Sequence, residues 1–183
     1  MMYGVAYGID KFVLNNLTED ATGAYTTPVG GFTTASNINT IFANLRSKVG
    51  GYQNNFNGMG NKLFVVLEAA DMVGVTIAGA TNGFNSSDSV LKNGQVGSWM
   101  GVDIFEVQDG TFVNATLGTT TVTNSGHRVF GVKNASTYAS PRGLQMEEKG
   151  VSGKTGKEIV VFGLVGFKLW AQKAGITVDI TIS

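Results

Sequence analysis

Ser36-Asn37-Ile38-Asn39-Thr40-Ile41-Phe42-Ala43-Asn44-Leu45-Arg46-Ser47-Lys48-Val49-Gly50-Gly51 is the stretch that decides the fold. Ser36 or Asn37 can cap, apolar residues recur at Ile38, Ile41, Phe42, Leu45 and Val49, and the glycine pair stops the run. This spacing predicts an amphipathic helix of about four turns with one face committed to a core. Downstream, Lys62–Glu68 encloses Leu63-Phe64-Val65-Val66-Leu67, a short β-branched run that fits a central strand buried on both faces. At the C-terminal end Ile176, Val178, Ile180 and Ile182 alternate with Thr177, Asp179 and Thr181, giving a strand with one dry face. The expectation is a helix lying across a sheet shared by the early strand and the final two, with the middle of the chain as a separate lobe.

Further outward the pattern is more varied. Tyr3–Leu17 places Val5, Ile9, Phe12, Val13 and Leu17 at near-helical spacing, without a preceding cap, and looks like the tail of a longer helix. Thr18–Thr34, punctuated by Pro28 and Gly30-Gly31, reads as loop or a short hairpin. Asp71–Ala80 is ambiguous between helix and strand, because Met72, Val73, Val75 and Ile77 fit neither period well. Thr81-Asn82-Gly83 and Ser86–Ser89 mark an exposed loop. Trp99–Gln108 and Arg128–Lys133 read as strands joined through the Thr-rich stretch Thr111–Ser125. Leu144–Lys149 and Glu158–Ala171 read as strands around a glycine-rich tip at Gly150–Gly156.

Composition supports a single folded core. Of 183 residues 43% are hydrophobic and 14% charged, with a formal net charge of zero, a balance unlike that of disordered chains. The absence of cysteine excludes disulfides, thiol nucleophiles and thiolate metal sites. No cluster of Lys and Arg provides the footprint of a phosphate-backbone binder. No apolar stretch approaches the twenty or so residues that carry a helix across a bilayer, and Met1–Asp10 does not read as a signal peptide. The 26 glycines against two prolines point to many tight turns.

The order of elements resembles the tailed-phage major capsid protein family, the Hong-Kong-97-like capsid fold that also occurs in encapsulin shells and herpesvirus floors. Gly8-Ile9-Asp10-Lys11-Phe12-Val13-Leu14 is similar to the end of the family's long spine helix, and Asn37–Val49 to the helix that follows. Leu91-Lys92-Asn93-Gly94-Gln95-Val96-Gly97-Ser98-Trp99-Met100-Gly101-Val102-Asp103-Ile104-Phe105 is similar to the family's Asn-Gly, Gly and Gly-apolar pattern before a strand. Val161-Phe162-Gly163-Leu164-Val165-Gly166-Phe167-Lys168-Leu169 is similar to its closing strand. The resemblance implies an α+β capsid fold, a helix packed on a mainly antiparallel sheet with an inserted axial α/β lobe. The peripheral domain is expected at residues 1–70 and 140–183, including the end of the spine helix, and the axial domain at 71–139. It also implies a C-terminal portion lacking the family's N-terminal arm and extended loop, and hence a monomer or weak ring for this chain alone. Function would be structural: self-association into pentamers and hexamers of a virion shell assembled in the host cytoplasm, with scaffold or portal proteins as further partners. No enzymatic activity, cofactor, sequence-specific nucleic acid or membrane partner is implied. Candidate subunit contacts lie in the loops, at Asn82, Phe84, Asp88, Lys92, Asn114, Thr120 and Asn124. The donor lysine of the cross-link made by some members lies in the missing loop, so no cross-link residue is assigned.

Residues that could carry chemistry read more simply as structure. Gly150-Val151-Ser152-Gly153-Lys154-Thr155 has two residues between its glycines where a phosphate loop needs four, and its flanks are strands. His127 stands alone, so it cannot build a multi-histidine site, and is read as a turn residue starting a strand. Glu147 and Glu148 alternate across a strand and cannot converge on one substrate unless that strand is bulged. Four Asn-X-Ser/Thr matches, at Asn16, Asn85, Asn114 and Asn134, are explained by composition. Trp99 and Trp170 are read as core or interface anchors. Two other classes compete: a small β-rich phage decoration, tail or binding module, and a hydrolase in which a cleft brings Asp103 or Glu106 to another carboxylate.

Overall fold

The computed structural model describes residues 2–49, 63–81, 95–117, 120–150, 157–170 and 176–183. Among these residues are three α-helices, α1 (Met2–Glu19), α2 (Ile38–Val49) and α3 (Met72–Thr81), and ten strands. These are β1 (Gly23–Thr26), β2 (Leu63–Glu68), β3 (Gln95–Trp99), β4 (Val102–Val107), β5 (Asn114–Leu117), β6 (Thr120–Thr123), β7 (His127–Val132), β8 (Ser136–Gly150), β9 (Lys157–Leu169) and β10 (Val178–Thr181). Six strands make one mixed sheet in the order β1-β10-β7-β2-β4-β3, while β5-β6 and β8-β9 are separate two-stranded ribbons.

The alternation of side chains along each strand divides the core in two. Leu63, Val65 and Leu67 of β2 join Val102 and Ile104 of β4, Phe130 and Val132 of β7, and Val178 and Ile180 of β10. The stripe Ile38, Ile41, Phe42, Leu45 and Val49 of α2 is buried in this same cluster, each such side chain contributing about 1.5–3 kcal/mol through the water it leaves. On the opposite face Phe64 and Val66 of β2, Phe105 of β4 and Val129 of β7 meet Leu14 and Leu17 of α1 and Leu169 at the end of β9. The sheet is thus covered by α2 on one side and by α1 with the ribbon's base on the other.

Local chemistry explains several elements. β3 turns into β4 through Met100 (φ 49°) and Gly101 (φ 80°), two consecutive left-handed residues as a tight primed hairpin turn requires. The Gly-Ser-Trp-Met-Gly-Val motif is therefore a hairpin, which Trp99 locks to α2 by donating from Nε1 to Asn39 Oδ1 at 3.2 Å and packing 6.2 Å from the Phe42 ring. α3, with apolar residues on all sides, is pressed against the Gly31–Thr33 turn at Gly74, where a Cβ would lie 2.2 Å from the Phe32 carbonyl oxygen.

Several expectations change. The helix α2 does lie over β2 and β10, but β3, β4 and β7, from the segment 71–139 expected as a separate axial lobe, belong to the same sheet. Strand order, not chain order, decides membership: β7 runs between β10 and β2 and bonds to both. Conversely β9 (Lys157–Leu169), from the expected strand Glu158–Ala171, pairs among the described residues with β8 alone and not with that sheet; β8 begins at Ser136 rather than Leu144. The Asp71–Ala80 ambiguity resolves as helix, Thr18–Thr34 contains β1 paired parallel to β10, and Thr111–Ser125 contains the β5-β6 hairpin. α2 is entered from a 3-10 turn, Ala35–Asn37, whose Asn37 Nδ2 donates to the Val29 carbonyl. Its proposed glycine stop, Gly50-Gly51, lies outside the described residues.

Candidate assembly surfaces

The β8-β9 ribbon is largely exposed among the described residues. Its strands run 15 and 13 residues, which at about 3.3 Å per residue makes a ribbon of roughly 45 Å. At its base Leu169 is buried and Phe167 half-buried against the core, and Trp170 N donates to Ala135 O at 3.0 Å. From Thr137 to Gly150 every described side chain of β8 is exposed. Met146 and Leu164, at 70% and 58% exposure, stand in water together with Tyr138 and Trp170. A lone two-stranded ribbon is at best marginal in water, so these residues lack the cover their composition calls for.

Beside the ribbon's base lies an open groove of about 540 Å³, walled by α1 residues Ile9, Val13 and Leu14, by Val66, Phe105 and Val107 of the sheet, and by Tyr138. Two carboxylates also line it, Asp10 and Glu106. Loss of water around Asp10 raises its carboxyl pKa above the ordinary value.

α1 is held over the sheet by buried amides. Asn15 Nδ2 donates to the carbonyls of Lys11 and Thr111, each at 2.7 Å. Its Oδ1 accepts from Val113 N at 3.1 Å, and Asn124 Nδ2 donates to the Asn15 carbonyl at 2.9 Å. The Thr111–Val113 segment is tied in turn to a buried ionic cluster. Arg128 pairs with Glu68 at 2.8 Å and with Asp71 at 2.5 Å, while Glu68 Oε1 accepts from Phe112 N at 3.1 Å. The guanidinium also lies 5.4 Å from the centroid of the Phe112 ring.

The candidate contact residues separate. Asn82, Phe84, Asp88 and Lys92 lie outside the described residues, as do positions 151–156 of the glycine-rich tip. Asn114 is exposed at the start of β5, its Oδ1 accepting from Ser125 N at 2.9 Å, and Thr120 opens β6. Asn124 is 3% exposed and committed to Asn15, so its side chain is not free for a neighbour. Asp103, the first carboxylate of the hydrolase reading, pairs with Lys133 at 2.5 Å, its neighbour in sequence Asp109 accepts at Oδ1 from Ala70 N, and His127 Nδ1 faces Asp179 at 2.8 Å. Glu147 is 3.8 Å from Lys149 on the exposed ribbon. Glu106 does share the groove with a second carboxylate, Asp10, but the remaining wall is apolar side chains apart from the Tyr138 hydroxyl. Trp99 is core and Trp170 is exposed. Among the described residues no three His, Asp or Glu side chains gather where a metal ion could be held. Sequence reasoning found the two strands around the Gly150–Gly156 tip but missed that β8 begins at Ser136 and that the pair stands apart from the main sheet; it also missed the Asn15 amide.

Sequence comparison finds no matching family model and no matching curated protein. Comparison with solved structures does find matches. A chain from the capsid structure of the cyanophage P-SCSP1u aligns with TM-score 0.63 and 12% identity, over 100% of this chain and 64% of that one. A chain of the bacteriophage PhiM1 mature capsid aligns with TM-score 0.57 and 14% identity, over 87% of this chain and 51% of that one. The virus-like particle from Pyrococcus furiosus gives 0.53 and 8%, over 94% and 62%. This chain therefore has the mixed α+β fold of phage capsid proteins, and it spans about half to two-thirds of the length of these structural neighbours.

Proposed function

We propose that this chain is a structural subunit of a bacteriophage capsid shell of the Hong-Kong-97-like kind, self-associating into pentamers and hexamers and catalysing no reaction. The observation that carries the proposal is the β8-β9 ribbon: a long two-stranded extension with apolar residues in water, on a fold shared with capsid chains. A subunit whose neighbours cover what it leaves exposed needs such surfaces, and many modest rotationally related contacts close a shell. On this reading the protein resides in the virion after assembly in the host cytoplasm, with scaffold or portal proteins as further partners. The sheet body, with the loops around Asn82, Phe84, Asp88, Lys92, Asn114 and Thr120, makes the contacts around the symmetry axis, while α1 and the ribbon make the outlying ones. Asn124 acts within the subunit. Negative-stain electron microscopy over a concentration series tests the proposal: rings of five or six subunits, or closed particles, are expected at high concentration. A protein monomeric under every condition contradicts it.

One alternative keeps a specific observation behind it. Asp10 and Glu106 share a groove, and a carboxyl with a raised pKa beside a second carboxylate is the pattern of acid-base hydrolysis. The wall around them offers apolar side chains where a polar substrate needs donors, so a contact surface accounts for the groove better. A small β-rich decoration or tail module fits less well, because α1 and α2 both pack on the sheet.

A further inference from the structure

The two outer edges of the β8-β9 ribbon are built differently. β8 carries Pro141, which has no backbone donor, then the charged residues Arg142, Glu147, Glu148 and Lys149. Its register with β9 shifts twice, between Ala139 and Arg142 and between Arg142 and Gln145. Proline, charge and irregular register are the means by which proteins stop a strand edge from recruiting another strand. β9 has none of the first two over nine residues: Ile159-Val160-Val161-Phe162-Gly163-Leu164-Val165-Gly166-Phe167 contains no proline and no charge, and is rich in β-branched residues. Among the described residues no third strand joins either edge. One edge is thus guarded and the other is left ready to pair.

We propose that the free edge of β9 pairs antiparallel with β9 of a second copy of this chain, making a continuous four-stranded ribbon across a two-fold axis. Three observations select that occupant. The uncharged run can face its own copy without opposing like charges, whereas two β8 edges would bring Glu147 and Glu148 against their counterparts. Pairing β9 with β9 consumes both unguarded edges and leaves only guarded β8 edges outside, so the contact is closed and does not propagate into a fibre. Four strands also exceed the two that are marginal alone in water, and the pairing sets the side chains of Leu164 and Val165 beside those of the second copy. This inference deepens the shell-subunit reading by naming one contact, and it makes that contact isologous.

The absence of native cysteine makes the test direct. Single cysteines are placed in turn at positions 160 to 167, with Ser140→Cys and Glu148→Cys on β8 as comparators, and each protein is oxidised and run on non-reducing gels at several concentrations. A covalent dimer confined to one or two adjacent β9 positions, absent from both β8 variants and promoted by concentration, is the expected result. Dimer at no β9 position, or equal dimer from β8, overturns it. Leu164→Lys, at an exposed position, should weaken the uncross-linked dimer several-fold in sedimentation while leaving the monomer's thermal transition in place; an unchanged dimer opposes the pairing. The two readings separate cleanly: rings or particles without β9-β9 linkage remove this inference and leave the shell subunit, and linked dimers that never form rings support this pairing while removing the shell.

Discussion

Two runs of similar composition have opposite fates in this molecule. Leu63-Phe64-Val65-Val66-Leu67 forms β2, flanked by β7 and β4 and covered on both faces, with Leu63, Val65 and Leu67 almost free of solvent contact. Ile159–Phe167 forms most of β9, with one partner strand among the described residues and an exposed Leu164. The difference teaches that an apolar run specifies burial without specifying which chain provides the cover. In β2 the cover is intramolecular; for β9 it is left to a neighbour.

The comparison can be broken first in the body, where substitutions act on the isolated subunit. Arg128→Ala leaves Glu68 and Asp71 as buried carboxylates without their cation, and should cost about 3–5 kcal/mol in urea unfolding. A cost below about 1 kcal/mol would mean that the cluster is wetter than its geometry implies. Leu45→Ala opens a cavity beneath α2 and should cost about 2–5 kcal/mol. Asn15→Ala strands the Val113 amide and the Thr111 carbonyl and should cost roughly 1–3 kcal/mol, with proteolysis near α1 rising in parallel.

On the ribbon the expected effects on the isolated subunit are small. Leu164→Ala and Met146→Ala, both at exposed sites, should change the monomer's unfolding free energy by no more than about 0.5 kcal/mol, while lowering the yield of any assembled species. A large monomer effect would show that the ribbon is already covered within the chain. The smallest effect concerns Asp10. Its folded-state pKa is raised by loss of water, so its contribution is favourable in acid and is lost as pH rises through that pKa. Asp10→Asn should therefore raise the melting temperature slightly at neutral pH, and the gain should vanish on acidification.

What the sequence made legible follows from periodicity. Ile38–Val49 and Ile176–Ile182 each carry one clean period, and Leu63–Leu67 is short and β-branched, so α2, β10 and β2 were readable. α3 was not, because a helix apolar on every side has no face to detect. The four-residue strands β1, β5 and β6 are too short to establish alternation. The lobe boundary at 71–139 failed for another reason: β7 joins β10 and β2 across long stretches of chain, and nothing local to Arg128–Lys133 encodes those partners. Asn124 looked like an exposed loop residue because its partner, Asn15, is 109 positions away.

Amide hydrogen exchange read strand by strand tests the central claim most directly. In dilute monomer the β9 amides from 160 to 167 should exchange orders of magnitude faster than those of β2, and in rings or particles they should slow toward the β2 rate. β9 amides already as protected as β2 in the monomer, or equally fast in both states, would contradict the account.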